Sequence, residues 1–171
     1  YGFSEYAVTF VENHDVHNIT GNTNIMKGNA YILTHAGIPM LFLPHYEANQ
    51  QKINELIAVR KQNGINAWSV VSVKNSSGFY AAEIDGKVAV QIGSGTWNPT
   101  GDGWILNTSG TDYKVWSKAN VTFPSITPMP FANISIIGSA AAGWTTDVPL
   151  TTTDGITYTL SNYEFITGAA K

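Results

Sequence analysis

Residues 12–15 read Glu-Asn-His-Asp, two carboxylates and an imidazole within four positions. Such a group can transfer protons, hold hydroxyls through charged hydrogen bonds, or steady a developing cation. A plainer use competes, because Asn and Asp are favoured wherever a strand runs into a loop and must turn. His17 beside Asp15 suggests a metal pair, yet no third ligand follows at a workable spacing, so a metal site is rejected. His45 and Tyr46 follow a second apolar run and could line a cleft or anchor a packed loop. His35 lies in an apolar helical stretch and reads as a core histidine with satisfied nitrogens.

The elements that must position these groups are legible. Ala7 to Val11 is a short, nearly continuous apolar run, the mark of a strand buried on both faces of a parallel sheet, with Glu12-Asn13-His14-Asp15 at its C-terminal end. Met26 to His35 reads as a helix stopped by Gly37. Ile38 to Leu43 reads as a second buried strand, with Pro39 tolerated at its start. A helix from about Asn49 to Gln62 places Ile53, Leu56, Ile57 and the stem of Arg60 on one face. Strand, helix, strand, helix is a parallel pattern, and two such units cannot close a sheet. Beyond Asn66 the period becomes alternating. Strands are expected at Ser69–Val73, Gly78–Ile84, Lys87–Ile92, Trp104–Leu106 and Tyr113–Trp116, with Asp85-Gly86 as a hairpin turn.

Nine Lys plus Arg are spread among twelve Asp plus Glu, without a basic patch, which argues against a nucleic-acid partner. The absence of Cys removes disulfides, thiol nucleophiles and Cys-based zinc. No apolar run reaches the roughly 18 residues of a membrane span. Aromatic residues reach 12%, and an exposed indole can stack on a sugar face. Trp97, in a Gly-Thr-Trp-Asn-Pro loop, could do this or fold back as a lid on a small core. Trp68, Trp104 and Trp116 lie in or beside strands and read as core.

Phe10-Val11-Glu12-Asn13-His14-Asp15 closely resembles the motif ending the seventh barrel strand of α-amylases of glycoside hydrolase family 13. Gly28 to Pro39 is similar to that family's seventh helix and eighth strand, and Leu56 to Ile65 to its eighth helix. Tyr80 to Gly93 and Thr111 to Trp116 resemble the five-stranded C-terminal domain of plant-type members. The resemblance implies retaining hydrolysis of α-1,4-glucosidic bonds by a carboxylate nucleophile and a carboxylic acid/base. It makes Asp15 the third catalytic carboxylate, holding the 2- and 3-hydroxyls of the sugar at the cleaved bond, and His14 a hydroxyl ligand beside it. The nucleophile and acid/base belong to the fourth and fifth strands, which this chain does not contain, so the chain alone is expected to be inactive. Glu12 stands where many members have Asp, and Val16 replaces a common Thr.

The fold expected is therefore α/β followed by all-β. Residues 1–66 are the last two β/α units of a (β/α)8 barrel, 67–117 an antiparallel domain, 118–132 a linker and 133–171 the start of a β-sandwich. The segment around Trp144 resembles starch-binding modules of the outer-membrane SusE and SusF type, which would make Trp144 a sugar platform. Both ends of the chain read as cut. The resemblance further implies starch or another α-glucan as partner; His45, Tyr46 and Trp97 are, by position, the candidate further substrate contacts. It also implies a monomeric full-length enzyme that is secreted, periplasmic or outer-membrane associated in a bacterium. No cofactor is expected in these residues, with Ca2+ reserved for the full-length enzyme. The rival reading is a non-catalytic carbohydrate-binding protein that has kept amylase-like parts.

Overall fold

The computed structural model describes residues 4–17, 20–125, 135–138, 141, 143–151 and 159–160. They fall into two units, 1–125 and 126–171.

In the first unit Val8–Thr9 (β1) and Ile38–Pro39 (β2) pair in parallel, Val8 against Ile38 and Thr9 against Pro39. Parallel strands need a crossover, here the helix Asn22–Thr34 (α1), which begins about one turn before the expected Met26. Gly28 lets α1 lie close to the chain leaving β1, since a Cβ there would sit 2.8 Å from a Val11 methyl. Both strands are shorter than their apolar runs. Val8 is 55% exposed rather than buried, because a lone strand pair leaves its outer edges and faces without cover.

The expected continuation of β2 to Leu43 is replaced by a short helix, Leu43–Ala48 (α2), with Pro44 in its first turn. Proline is at home there, where a missing N–H costs nothing. Helix Gln50–Gln62 (α3) buries Ile53, Leu56, Ala58 and Val59. Arg60 does more than pack its stem. Its guanidinium donates to the carbonyls of Leu33 (3.2 Å), His35 (2.7 Å) and Gly37 (2.8 Å), groups left over where α1 ends.

Five strands follow: Val71–Asn75 (β3), Tyr80–Ile84 (β4), Val88–Ile92 (β5), Ile105–Gly110 (β6) and Tyr113–Ser117 (β7). They form one antiparallel sheet in the order β3-β4-β5-β7-β6. The β4–β5 turn holds Asp85 (φ 51°) and Gly86 (φ 63°), both in the left-handed region that Asp tolerates and Gly prefers. Pairings of β4 with β5 and β5 with β7 are unbroken, whereas both edge strands slip by a residue, at Val73/Asn75 in β3 and Leu106/Thr108 in β6.

One core joins this sheet to the helices. Ala82, Ile84, Val88, Val90 and Val115 meet Ala30 and Leu33 of α1 and Ile53, Leu56 and Val59 of α3. Each such Leu, Ile or Val side chain withdrawn from water stabilises by about 1.5–3 kcal/mol. Trp116 is buried as expected, but Trp68 is not. It is 72% exposed, because the turn that carries it directs Ala67 and Ser69 inward and the intervening indole outward. That turn is fixed by Asn66, whose Oδ1 accepts from the Trp68 N–H at 2.9 Å. Residues 118–125 return to the end of α3, where the Gln62 amide exchanges two hydrogen bonds with the backbone of Thr122.

In the second unit Ser135–Gly138 (β8) and Gly143–Pro149 (β9) form an antiparallel pair, and Thr151 bridges Thr159. Residues 133–134, 139–140, 142, 152–158 and 161–171 of the expected β-sandwich start lie outside the described residues, as do residues 126–132 of the expected linker.

Candidate active site

The chain leaving β1 carries Glu12 inward and His14 and Asp15 outward. Glu12 is 3% exposed, whereas the side chains of His14 and Asp15 are 86% and 76% exposed. His14 Nε2 lies 3.4 Å from Asp15 Oδ2. Asn13 builds the turn between them and the rest of the loop: its Oδ1 accepts from the amides of Asp15 (3.0 Å) and Val16 (2.8 Å), and its own N–H donates to the Val16 carbonyl (3.1 Å). The turn-forming use of Asn and the exposure of Asp15 are thus one arrangement, in which a side-chain cap presents a carboxylate to solvent.

Glu12 accepts from two sides among the described residues. Oε1 takes the N–H of Thr20 at 2.9 Å, where the loop feeds into α1, and Oε2 lies 3.1 Å from Nε2 of His45 on α2. A carboxylate only accepts, so Nε2 is the nitrogen that carries the hydrogen. His45 is 5% exposed, and its ring is met edge-on by Phe42, with centroids 5.3 Å apart. Glu12 and His45 share a cleft of about 430 Å³ with Gly21, Asn22, Ile25, Phe42, Pro44, Ala48 and Asn49.

The other residues singled out from sequence are dispersed. Tyr46 is half-buried, and its hydroxyl accepts from Asn54 Nδ2 at 3.3 Å. Trp97 packs edge-to-face on Trp116, with centroids 5.8 Å apart. Trp144 stands exposed on β9 of the second unit. His35 is the satisfied core histidine expected: Nδ1 reaches the Tyr31 carbonyl and Nε2 the Tyr80 hydroxyl, each at 2.8 Å. Burial pushes its pKa down to about 4. Burial, with Tyr31 nearby, pushes the Tyr80 phenol up to about 12. Among the described residues no three His, Asp or Glu side chains converge as a metal-ligand group would.

A family model for the alpha-amylase C-terminal beta-sheet domain matches residues 62–117, the stretch that holds β3 to β7. The chain is 40% identical over 126 residues to the probable alpha-amylase 2 of Arabidopsis thaliana, covering 66% of this chain and 30% of that protein. It is 37% identical over 126 residues to the alpha-amylase type B isozyme of Hordeum vulgare, covering 66% of this chain and 80% of that sequence. The chain belongs to the α-amylase family. A further relative, the chloroplastic alpha-amylase 3 of Arabidopsis thaliana, is 39% identical over 119 residues, which span 64% of this chain and 13% of that protein. The chain thus matches under a third of the length of either Arabidopsis relative, and its likeness to amylases holds at family level.

Sequence reasoning passed over Glu12 as a tolerable variant of Asp and left His45 between a cleft residue and a loop anchor. The signal that could have joined them was chemical: a carboxylate directly after an apolar strand, and an imidazole at the matching place after the parallel strand beside it.

Proposed function

We propose that this chain is the C-terminal part of an α-amylase that hydrolyses internal α-1,4-glucosidic bonds of starch or a related α-glucan with retention. In this reading β1, α1, β2 and α3 are the last two β/α units of a (β/α)8 barrel, and β3 to β7 are the C-terminal domain. The observation that carries it is the parallel pairing of β1 with β2, with His14 and Asp15 just beyond the C-terminal end of β1. Barrel enzymes place catalytic residues at that end of their strands.

Asp15 supplies the third carboxylate. As the glycosidic bond breaks, positive charge grows on the sugar ring and its 2- and 3-hydroxyls become stronger donors. An ionised carboxylate bonding to them therefore binds the transition state better than the ground state. His14 adds a second contact on the same hydroxyls, and the solvent exposure of both suits groups that must meet a substrate. Nucleophilic attack and leaving-group protonation require two carboxylates from elsewhere in the barrel, so the isolated chain has no turnover. Trp97 and Trp144 are proposed secondary sugar contacts, the latter on a starch-binding module. Among the described residues no helix is long and apolar enough to cross a membrane, and the reading is of an exported enzyme acting as a monomer.

The test is hydrolysis of maltoheptaose by the 171-residue chain and by the same chain preceded by its upstream coding sequence. Turnover by the longer protein only supports the reading. Turnover by neither leaves the rival, a sugar-binding protein with amylase-like parts, as the better account, and turnover by the short chain refutes the assignment of roles.

A further inference from the structure

We propose that Glu12 and His45 are positioning residues for Asp15, a buried clamp that fixes the loop from which the exposed carboxylate projects; the proposal rests on the catalytic reading of Asp15. His14 and Asp15 are almost wholly solvated, so their own packing does little to hold them. What holds them lies below. Glu12 joins three points of the chain: the start of the 13–20 loop, its end at Thr20, and α2 through His45. Asn13 then closes a smaller turn inside that loop. The two turns are nested, and the outer one is tied to the segment following the neighbouring parallel strand.

The chemistry of burial points to geometry as the benefit. Taking a carboxylate and an imidazole out of water is costly, and a well-packed apolar pair in their place is often no less stable. A directional pair, unlike an apolar one, fixes orientation. Among the described residues His45 Nδ1 has no partner, and the ring is oriented by Nε2 and by Phe42 rather than by a hydrogen bond from each nitrogen. Reach matters too. Aspartate at position 12 would draw the carboxylate back by about 1.5 Å, one carbon–carbon bond. It could not then meet both Thr20 and His45 without moving the loop. This chain's Glu and its His45 are a matched pair.

Kinetics of the full-length protein and NMR of the 171-residue chain test the clamp together. A displacement of about 1 Å at a catalytic group can cost on the order of 100-fold in rate. His45→Leu is expected to lower kcat on maltoheptaose by about 10- to 100-fold with KM within about 3-fold. His45→Gln, whose amide can still donate to Glu12, should recover most of the loss, and Glu12→Asp should fall between. In the NMR arm, the amide signals of Asp15, Val16 and Thr20 should move in His45→Leu and return towards wild type in His45→Gln. The Val115 amide in β7, unmoved, reports that the sheet is intact. If Asp15 and Val16 do not move in His45→Leu, or if His45→Leu turns over like wild type, the clamp is refuted. If the wild-type full-length protein hydrolyses no glucan, the catalytic reading of Asp15 fails instead, and the amide shifts alone decide whether the clamp exists.

Discussion

Arg60 on α3 donates to the main-chain carbonyl of His35 at 2.7 Å, so a helix in one β/α unit completes the end of a helix in the unit before it. The same guanidinium reaches Leu33 and Gly37, and hydrogen bonds from a charged donor to half-buried carbonyls are stronger than neutral ones.

Arg60→Met should therefore destabilise the first unit by about 2–4 kcal/mol, since it removes three charge-assisted bonds and leaves carbonyls short of partners. Arg60→Lys, with a single ammonium in place of a fork, should recover less than half. Urea unfolding followed by tryptophan fluorescence measures both; a loss under about 0.5 kcal/mol for Arg60→Met would show that water replaces the guanidinium freely.

Burial holds the His35 imidazole down at about 4 from its ordinary 6.5, against the raising effect of the Tyr31 carbonyl and with a small lowering from Arg60. The unfolded chain takes up a proton below pH 6.5, and the folded chain does so only near pH 4. Stability is thus full above pH 6.5 and falls as pH drops through that window, by up to about 3 kcal/mol from this group. His35→Gln should flatten the fall between pH 6.5 and 4. Parallel curves for variant and wild type would remove His35 as the cause.

The two tryptophans with opposite fates make a direct comparison. Trp116→Ala should cost about 3–5 kcal/mol, as emptying a core aromatic site does. Trp68→Ala should stay within about 0.5 kcal/mol, because the indole is largely in water and the turn beneath it is made by Asn66 and Ser69. A large loss at Trp68 would mean that the ring is covered in solution.

In the full-length protein Asp15→Asn should lower kcat by about 100- to 1,000-fold while leaving the melting temperature near wild type. On the proposed reading it deletes a charge that acts in the transition state, at a side chain that is largely in solvent. Kinetics on maltoheptaose beside a thermal melt would read both. An equal rise in KM with kcat unchanged would make Asp15 a ligand that binds ground state and transition state alike.

Much of the architecture was legible because local chemistry enforced it. The Asp85-Gly86 turn and the alternation on either side located β4 and β5 to within two residues, and α3 was placed by its 3.6-residue apolar stripe. Where apolar residues ran without a period, as from Ile38 to Leu43, nothing local distinguished a strand from a helix start, and α2 was missed. Trp68 was misjudged for a related reason. Its neighbours Ala67 and Ser69 turn inward, and which side of a turn faces the core is decided by packing from far along the chain. At the candidate site, residue types and the family resemblance together singled out His14 and Asp15, but the link from Glu12 to His45 spans 33 positions and depends on the parallel pairing of β1 and β2. A contact of that kind is invisible until the fold is known.

The slipped registers at Val73/Asn75 and Leu106/Thr108 fall on β3 and β6, the two outer strands of the five-stranded sheet, and the inner pairings have none. Those outer strands also carry exposed Val73, Ile105 and Leu106, an invitation to further strands. A bulge interrupts the spacing of free N–H and C=O groups along an edge, so a strand from another molecule cannot match it over more than a few residues. Copies of the domain are thereby kept from joining side by side into a continuous ladder.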